Sequence, residues 1–207
     1  MPLTYRSRLV ETSLSGDLEA FPVVVLSGAR QTGKSTLARE SQPLGQRPYV
    51  TLDDFGVLEQ AADDPHNLLQ RFSTMTLDEV QREPRLLMAL KALVDQDRPR
   101  KPGRFLLTGS ANLLLMSAVS DSLAGRAAYR TLYPMTRREQ LGKGSAGCWT
   151  KLLIEEVARW PELLAEEDVL PESWRELAYR GGFPVPALEL QSASARTAWF
   201  EGYIRTY

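Results

Sequence analysis

The sequence predicts an α/β protein built around a parallel sheet, and two observations support this fold class. Short β-rich runs alternate with helical patterns along the chain, which is typical of βαβ units whose strands pair in parallel. The first run contains four consecutive apolar residues at positions 23–26, as expected of a strand that helices bury on both faces. We therefore expect this strand at the centre of the sheet.

The strands and the nearby helices are predicted in chain order. The predicted strands cover residues 22–28, 48–53, 74–78, 104–109 and 127–133. The fifth strand ends before Pro134, which cannot donate a hydrogen bond to a neighbouring strand. Apolar residues at helical spacing predict helices at 84–95 and 112–123, and Asn112 is a suitable N-cap for the second of these.

A glycine-rich stretch at 142–148 is expected to link two parts of the chain. Residues 1–141 should form a core that contains the sheet, and residues 149–207 should form a helical lid. The lid helices are predicted at residues 149–165, 172–180 and 194–207. The amphipathic pattern of the last helix still runs at Tyr207 without a stop signal, so the lid is expected to be truncated at its C-terminus.

The composition excludes several kinds of chemistry. A net charge of −1 gives no overall attraction to nucleic acid or anionic lipid. No apolar run approaches the roughly 18 residues of a membrane span, and the N-terminus lacks a secretory signal, so a cytoplasmic protein is expected. Cys148 is the single cysteine and His66 the single histidine, which argues against a disulfide, a Cys/His metal site and a Ser-His-Asp triad.

The residues after the first predicted strand match the phosphate-binding motif G-x-x-x-x-G-K-[ST]. They read Gly28-Ala29-Arg30-Gln31-Thr32-Gly33-Lys34-Ser35. The alternative is a glycine turn that happens to precede a lysine, which the flanking buried strand and helix disfavour. The predicted nucleotide-binding residues are Gly28, Arg30, Gln31, Thr32, Gly33, Lys34, Ser35 and Thr36.

Each residue type in this motif has a physical reason. Phosphates must lie against successive backbone N–H groups, and a side chain at Gly28 or Gly33 would obstruct them. The helix after Gly33 directs unpaired N–H groups and the positive end of its dipole at the phosphates. Lys34 is predicted to contact the β- and γ-phosphates of ATP, and the Ser35 hydroxyl to coordinate Mg²⁺.

Two adjacent carboxylates, Asp78 and Glu79, end the third predicted strand. Alone, such a pair is usually a solvated strand end. If this strand lies beside the first, Asp78 reaches the Mg²⁺ site and Glu79 can polarise a water that faces the γ-phosphate. The sequence therefore predicts Asp78 as a metal-site residue and Glu79 as the catalytic base.

Further motifs extend the pattern across nearly the whole chain. They are residues 77–82 (Leu-Asp-Glu-Val-Gln-Arg), 107–112 (Leu-Thr-Gly-Ser-Ala-Asn), 122–126 (Ser-Leu-Ala-Gly-Arg) and 181–184 (Gly-Gly-Phe-Pro). With the phosphate-binding motif they resemble a family of AAA+-like P-loop ATPases of bacteria and archaea. In that family the ATPase domain often precedes a restriction-nuclease-like C-terminal region. The first and third of these further motifs, in this order, are specific to the group.

The resemblance implies a P-loop NTPase fold with sheet order 5-1-4-3-2 and a helical lid. It implies that Ser110, at the end of the fourth strand, is a polar sensor. It also implies that Arg126 could act as an arginine finger toward the ATP of a neighbouring subunit in a homo-oligomer, with a surface ion pair as the equally weighted alternative. The third strand departs from the family pattern because Ser73, Thr74 and Thr76 make it unusually polar.

The leading functional hypothesis is a Mg²⁺-dependent ATP hydrolase that couples hydrolysis to a conformational change of the lid or of an attached domain. The alternative is an ATP-dependent switch that binds without hydrolysis and is recognised by partners. A small-molecule kinase is disfavoured by the adjacent Asp-Glu pair, and a GTPase by the lack of an Asn-Lys-x-Asp string. The client, whether protein or nucleic acid, stays open.

Overall fold

The computed structural model of the protein describes residues 4–42, 44–110, 123–166 and 172–206. Over these residues the chain forms two compact units. The first contains Val10–Tyr133 and the N-terminal residues up to Tyr5, and the second joins Arg6–Leu9 to residues from Pro134 onward. No helix within the described ranges is long and apolar enough to cross a membrane.

The described part of the first unit contains a five-stranded parallel sheet. Its strands are β1 (Val23–Ser27), β2 (Tyr49–Thr51), β3 (Met75–Asp78), β4 (Phe105–Thr108) and β5 (Ala127–Thr131). Neighbouring strands lie in the order β2-β3-β4-β1-β5. Counted from the other edge, this is the predicted order 5-1-4-3-2, so the fold class and the strand order are confirmed.

Helices connect the strands of the first unit. They are α1 (Val10–Ala20), α2 (Lys34–Glu40), α3 (Phe55–Asp63), α4 (Pro65–Gln70) and α5 (Arg85–Gln96). Asp54 and Asp64 fix the starts of α3 and α4, because each side chain accepts a 3.0 Å hydrogen bond from a backbone N–H in the first turn. α5 matches the helix predicted at 84–95. Residues 112–122 of the helix predicted at 112–123 lie outside the described ranges.

Every residue of β1 is buried, as expected for a central strand. Val23 and Val25 face one core together with residues of α3, α4 and α5, whereas Val24 and Leu26 face a second core with residues of α1 and α2. Each Å² of apolar surface removed from water in such cores contributes about 25 cal/mol. Helices therefore cover both faces of the sheet, and the loops at the carboxyl ends of its strands are left to build a site.

Short helices make up most of the second unit. They are α6 (Arg137–Gln140), α7 (Trp149–Ile154), α8 (Trp160–Ala165), α9 (Trp174–Arg180) and α10 (Ala193–Arg205). The segment predicted as helical at 149–165 is divided into α7, a 3-10 turn at Val157–Arg159, and α8. Pro161 lies in the first turn of α8, where its missing N–H needs no intrahelical partner, so it favours the start of a separate helix there.

The second unit begins at Pro134, before the glycine-rich stretch at 142–148 that was predicted as a linker. Glu139 gives the physical reason. Its Oε1 accepts hydrogen bonds from Arg8 at 3.1 Å and from the backbone N–H of Leu9 at 2.7 Å. These bonds attach α6 to the N-terminal segment of the same unit. The predicted division into a core at 1–141, a linker at 142–148 and a lid at 149–207 stays a prediction.

Aromatic side chains pack α10 against the loop that follows α9. The ring centroid of Phe183 lies 5.2 Å from that of Trp199 and 4.8 Å from that of Tyr203. Trp199 and Tyr203 also stack on each other at 5.3 Å. Ile204, the next residue of the same predicted stripe, is 72% exposed. Of the three residues in this predicted stripe, Trp199 and Tyr203 therefore pack against other aromatic rings, and Ile204 is exposed.

Thr76 on β3 carries a buried hydroxyl for which no hydrogen-bond partner is found among the described residues. Replacing Thr76 with valine keeps the shape of the side chain and removes the desolvation cost of the hydroxyl. We expect the free energy of unfolding, measured by urea denaturation, to rise by about 1 kcal/mol. Thr108→Val is the matched control: Thr108 is equally buried, but its hydroxyl donates to Asp78, so this change should lower stability. Equal effects in the two variants would contradict the prediction.

Candidate functional site

Residues 28–35 form a loop between β1 and α2, and the backbone of this 28–35 loop follows an unusual path. Gly28, Gln31 and Gly33 have φ values of 152°, 60° and 94°. Positive φ is unfavourable for residues with a Cβ atom, which explains glycine at two of these positions. Gly33 is the N-cap of α2, so the loop places the first turn of this helix at the carboxyl end of β1.

The structure gives a further reason for glycine at position 28, and the approach of phosphate inferred from the sequence stays a prediction. A Cβ atom here would lie 2.4 Å from the carbonyl oxygen of Leu132, just beyond the end of β5, whereas ordinary contacts of a Cβ atom begin near 3.4 Å. Any side chain would therefore push the loop away from β5. Gly28 lets the loop pack against a neighbouring strand, and this requirement holds without any phosphate.

The side chain of Lys34 is turned onto the 28–35 loop. Its Nζ donates hydrogen bonds to the carbonyl oxygens of Gly28 at 3.0 Å and of Ala29 at 2.8 Å. Burial lowers the pKa of Lys34, and the negative charges of Glu79 and Asp78 partly offset this effect. The ammonium group is thus held beside the loop, close enough to both carboxylates for their negative charges to affect its pKa.

Ser35 and Asp78, the two predicted magnesium-site residues, are brought together. The Ser35 hydroxyl donates a 2.7 Å hydrogen bond to Oδ2 of Asp78, across 43 positions of sequence. One assumption behind this prediction is wrong, since β3 does not lie beside β1 and β4 separates them. The contact forms nevertheless because the start of α2 reaches past β4 to the end of β3.

Two further hydroxyl groups bind Asp78, and neither was predicted from the sequence. Tyr49 donates to Oδ2 and Thr108 donates to Oδ1, while the backbone N–H of Glu79 reaches Oδ1 at 3.1 Å. Burial and the neighbouring Asp78 raise the pKa of Tyr49 to about 12, so the phenol remains a donor at neutral pH. Residues from β2, β4 and α2 therefore fix the position of this carboxylate.

Glu79 has a left-handed backbone, with φ of 58° and ψ of 38°. A residue other than glycine in this region costs of the order of 1–3 kcal/mol, and such residues are concentrated at functional sites. Its Oε2 accepts a hydrogen bond from the amide nitrogen of Gln81. The strained backbone and the amide contact fix Glu79 beside the end of β3.

A cavity of about 610 Å³ lies against the 28–35 loop. Its lining residues are Arg30, Gln31, Gly33, Lys34, Ser35, Thr36, Asp53, Glu79, Gln81 and Arg82. Small-molecule sites commonly measure about 300–1,000 Å³, so the cavity is large enough for a nucleotide. It combines positive charge on the loop with carboxylates that follow β2 and β3. Such a lining suits a polyphosphate that carries a metal ion.

Two predicted binding residues support the loop and are not among those that line the cavity. Gly28 packs against the end of β5, as described above. Thr32 is buried, and its hydroxyl donates a 2.9 Å hydrogen bond to the carbonyl oxygen of Ala29. Direct contact of Gly28 or Thr32 with a nucleotide stays a prediction.

Ser110 and Arg126 lie outside the lining of the cavity. Ser110 is 9% exposed and follows β4, but it is Thr108 that contacts Asp78. The sensor role of Ser110 stays a prediction.

Arg126 binds a carboxylate of its own unit. Its guanidinium donates to the two oxygens of Asp95 on α5 at 2.6 Å and 2.9 Å, and to the carbonyl oxygen of Ala124 at 2.9 Å. The hydrogen bond from Arg126 lowers the pKa of Asp95. This geometry is the ion pair that the sequence offered as the alternative to an arginine finger, and the finger itself stays a prediction.

The residues present fit Mg²⁺ bound together with phosphates. Mg²⁺ usually takes one or two carboxylate ligands from the protein and completes its shell with phosphate oxygens and water. Ser35 and Asp78 would supply the protein oxygens. Within the described ranges no group of three or more His, Cys, Asp or Glu side chains is placed to hold a metal ion by itself.

Sheet order, loop and acidic strand end together define a P-loop NTPase. Residues 20–141 match the model of AAA_14, a family described as an AAA domain. The chain belongs to this family. The predicted AAA+-like assignment is thereby confirmed, while the nuclease-like region that accompanies many such domains stays a prediction.

Two mycobacterial proteins are similar to the chain over most of its length. Rv2008c of Mycobacterium tuberculosis and Mb2031c of Mycobacterium bovis, both described as uncharacterized, are each 33% identical to it over 193 residues. The match covers 92% of this chain and 36% of each relative. The chain therefore spans about a third of the length of these relatives.

Two solved structures are similar to the chain at low sequence identity. A replication initiator DnaA bound to AMPPCP and single-stranded DNA is 15% identical, with a TM-score of 0.52 over 100% of this chain and 66% of that one. A Walker-type ATPase of Pyrococcus abyssi is 16% identical, with a TM-score of 0.48 over 89% of this chain and 68% of that one. The likeness to the DnaA structure concerns the fold alone.

Proposed function

We propose that the protein binds ATP together with Mg²⁺ and hydrolyses it. The hydrogen bond between Ser35 and Asp78 carries this proposal, because it sets a hydroxyl and a buried carboxylate side by side where a metal-bound phosphate would enter the cavity. Membership of an AAA domain family supports nucleotide binding independently of that contact. The proposed reaction is thus the cleavage of a phosphoanhydride bond.

Phosphate binding begins with Lys34. Its Nζ exchanges the two loop carbonyl oxygens for phosphate oxygens, and the new negative charge favours the protonated amine that burial disfavours. Ser35 and Asp78 would hold the metal ion, and Tyr49 and Thr108 keep Asp78 in place. When bound, Mg²⁺ neutralises part of the phosphate charge that develops during transfer.

Glu79 acts as the general base. It accepts a proton from a water molecule whose oxygen forms a bond to the γ-phosphorus, while the bond from that phosphorus to the bridging oxygen breaks and ADP leaves. Gln81 holds Oε2 of Glu79, and Oε1 takes the proton. The proton passes to solvent when the products depart.

The remaining assignments concern coupling. Ser110 is proposed as a polar sensor, and hydrolysis as coupled to a conformational change of the lid or of an attached domain. Arg126 can act as an arginine finger only if its ion pair with Asp95 breaks. That role also requires a homo-oligomer, in which Arg126 contacts the ATP of a neighbouring subunit.

An ATP-dependent switch without hydrolysis is the second candidate, and one contact favours it. The side-chain amide of Gln81 donates a hydrogen bond to Oε2 of Glu79 and so occupies one of the two oxygens that could accept a proton from water. Single-turnover assays with protein in excess over labelled ATP separate the two candidates. Phosphate release that requires Mg²⁺ supports the hydrolase. Binding without phosphate release supports the switch, and a chain that does not bind ATP refutes both.

A further inference from the structure

Arg82 and Asp53 form an ion pair at the cavity. Nη1 of Arg82 lies 2.5 Å from Oδ1 of Asp53, and both residues line the cavity together with the 28–35 loop. Arg82 ends the Asp-Glu-Val-Gln-Arg string, and the mechanism above gives it no task. A cation and an anion therefore share the wall of a site that is proposed to receive phosphates.

The backbone fixes where both side chains begin. β2 and β3 stay paired beyond their ends, since the N–H of Leu52 donates to the carbonyl oxygen of Asp78 at 3.0 Å. Asp53 follows directly. The N–H of Arg82 donates to the carbonyl oxygen of Glu79 at 3.0 Å, closing a 3-10 turn. Arg82 is thus attached to the same strand end as the proposed base.

The ion pair itself is easily exchanged. The side chains of Arg82 and Asp53 are 45% and 61% exposed, and an exposed pair adds little to stability. The planar guanidinium of arginine can instead form two parallel hydrogen bonds to a phosphate group, which are stronger than neutral ones. Asp53 repels the same phosphate. Nucleotide binding therefore favours transfer of Arg82 from the carboxylate to the phosphate.

We propose that Arg82 binds the terminal phosphate of ATP bound to its own chain, and that Asp53 holds it until that phosphate arrives. The inference rests on the proposed function, because it adds a binding residue to the same site. The γ-phosphate is the expected contact since Arg82 is tied to Glu79, which faces that group. Arg126, by contrast, is bound to Asp95 and is not among the lining residues. The consequence is a preference for a triphosphate over a diphosphate.

Equilibrium binding tests the proposal. Calorimetry with Mg²⁺ and either ADP or a non-hydrolysable ATP analogue is compared for the unaltered chain, Arg82→Ala and Arg82→Lys. Arg82→Ala should weaken binding of the ATP analogue roughly 10- to 100-fold, as expected for a lost hydrogen bond to a charged group, with little change for ADP. Arg82→Lys should restore part of the preference for the ATP analogue, because lysine keeps the positive charge but lacks the planar guanidinium that forms two parallel hydrogen bonds. Arg85→Ala is the matched control, since this exposed arginine pairs with Glu83 and is not among the lining residues.

Asp53→Asn supplies the second arm. It should tighten binding of the ATP analogue, and the gain should shrink when Arg82 is already alanine, because the competition for Arg82 is then gone. Arg82→Ala with an unchanged preference for the ATP analogue over ADP overturns the inference, as does an equal gain from Asp53→Asn in both backgrounds. If the unaltered chain binds neither nucleotide, the proposed function fails as well. The two failures are therefore distinguishable.

Discussion

Glu79→Gln should slow single-turnover hydrolysis of ATP by roughly 10²–10⁴-fold, the usual contribution of a positioned general base. Glutamine has nearly the same shape as glutamate but cannot accept the proton of the attacking water. Glu79 lines the cavity and is held there by a strained backbone and by Gln81, so the substitution should change the chemistry and not the fold. Binding of ATP should persist because the loop and the Ser35–Asp78 contact are untouched.

The measurement is phosphate release with protein in excess, alongside calorimetric binding of ATP. Glu59→Gln, an exposed position on α3, serves as the control for loss of one negative charge. A Glu79→Gln variant that turns over at the original rate while binding ATP would exclude this residue as the base. The hydrolytic proposal would then need another proton acceptor.

Lys34→Ala should abolish the thermal stabilisation that ATP and Mg²⁺ give to the unaltered chain. A ligand that binds only the folded state adds about 2.7 kcal/mol at a concentration 100 times its Kd, which is several degrees in Tm for a chain of this size. Lys34 provides the buried ammonium beside the loop, and alanine leaves the phosphates without it. The expected result is a ligand-induced shift close to zero.

The shift, and not the starting Tm, is the observable, because loss of two hydrogen bonds to loop carbonyl oxygens can lower stability by itself. Lys151→Ala is the control, since this exposed lysine belongs to a surface ion pair with Glu166. It should show the full shift. An equally large shift in Lys34→Ala would mean that this residue does not bind the phosphates.

Most of the sheet could be predicted because its signal is local. A continuous apolar run marks a strand covered on both faces, and β1 is such a strand with every residue buried. α1 was missed because Gly16 and its serines give a weak helical pattern, and packing of Leu14 into the core stabilises it instead. The division of residues 149–165 was missed although Pro161 was visible in the sequence.

The centre of the site could be predicted only in part. The 28–35 loop and the Asp-Glu pair are recognisable as strings, and the structure brings Ser35 to Asp78 although β4 separates their strands. Tyr49 escaped notice because its reach to Asp78 depends on the register of β2 against β3, which no local pattern specifies. Thr108 carried a signal, its position at the end of β4, but Ser110 was chosen in its place.

The contact between Gly28 and Leu132 changes how variants at the first glycine of the motif should be interpreted. Loss of activity after a substitution at Gly28 would ordinarily be ascribed to a damaged phosphate cradle. Here the added Cβ atom would clash with the carbonyl oxygen of Leu132, so the same loss of activity would arise from a loop that cannot pack against β5. A variant at Gly28 should therefore be treated as a folding defect until its free energy of unfolding has been measured. It is a poor choice as a control that lacks nucleotide binding in cells.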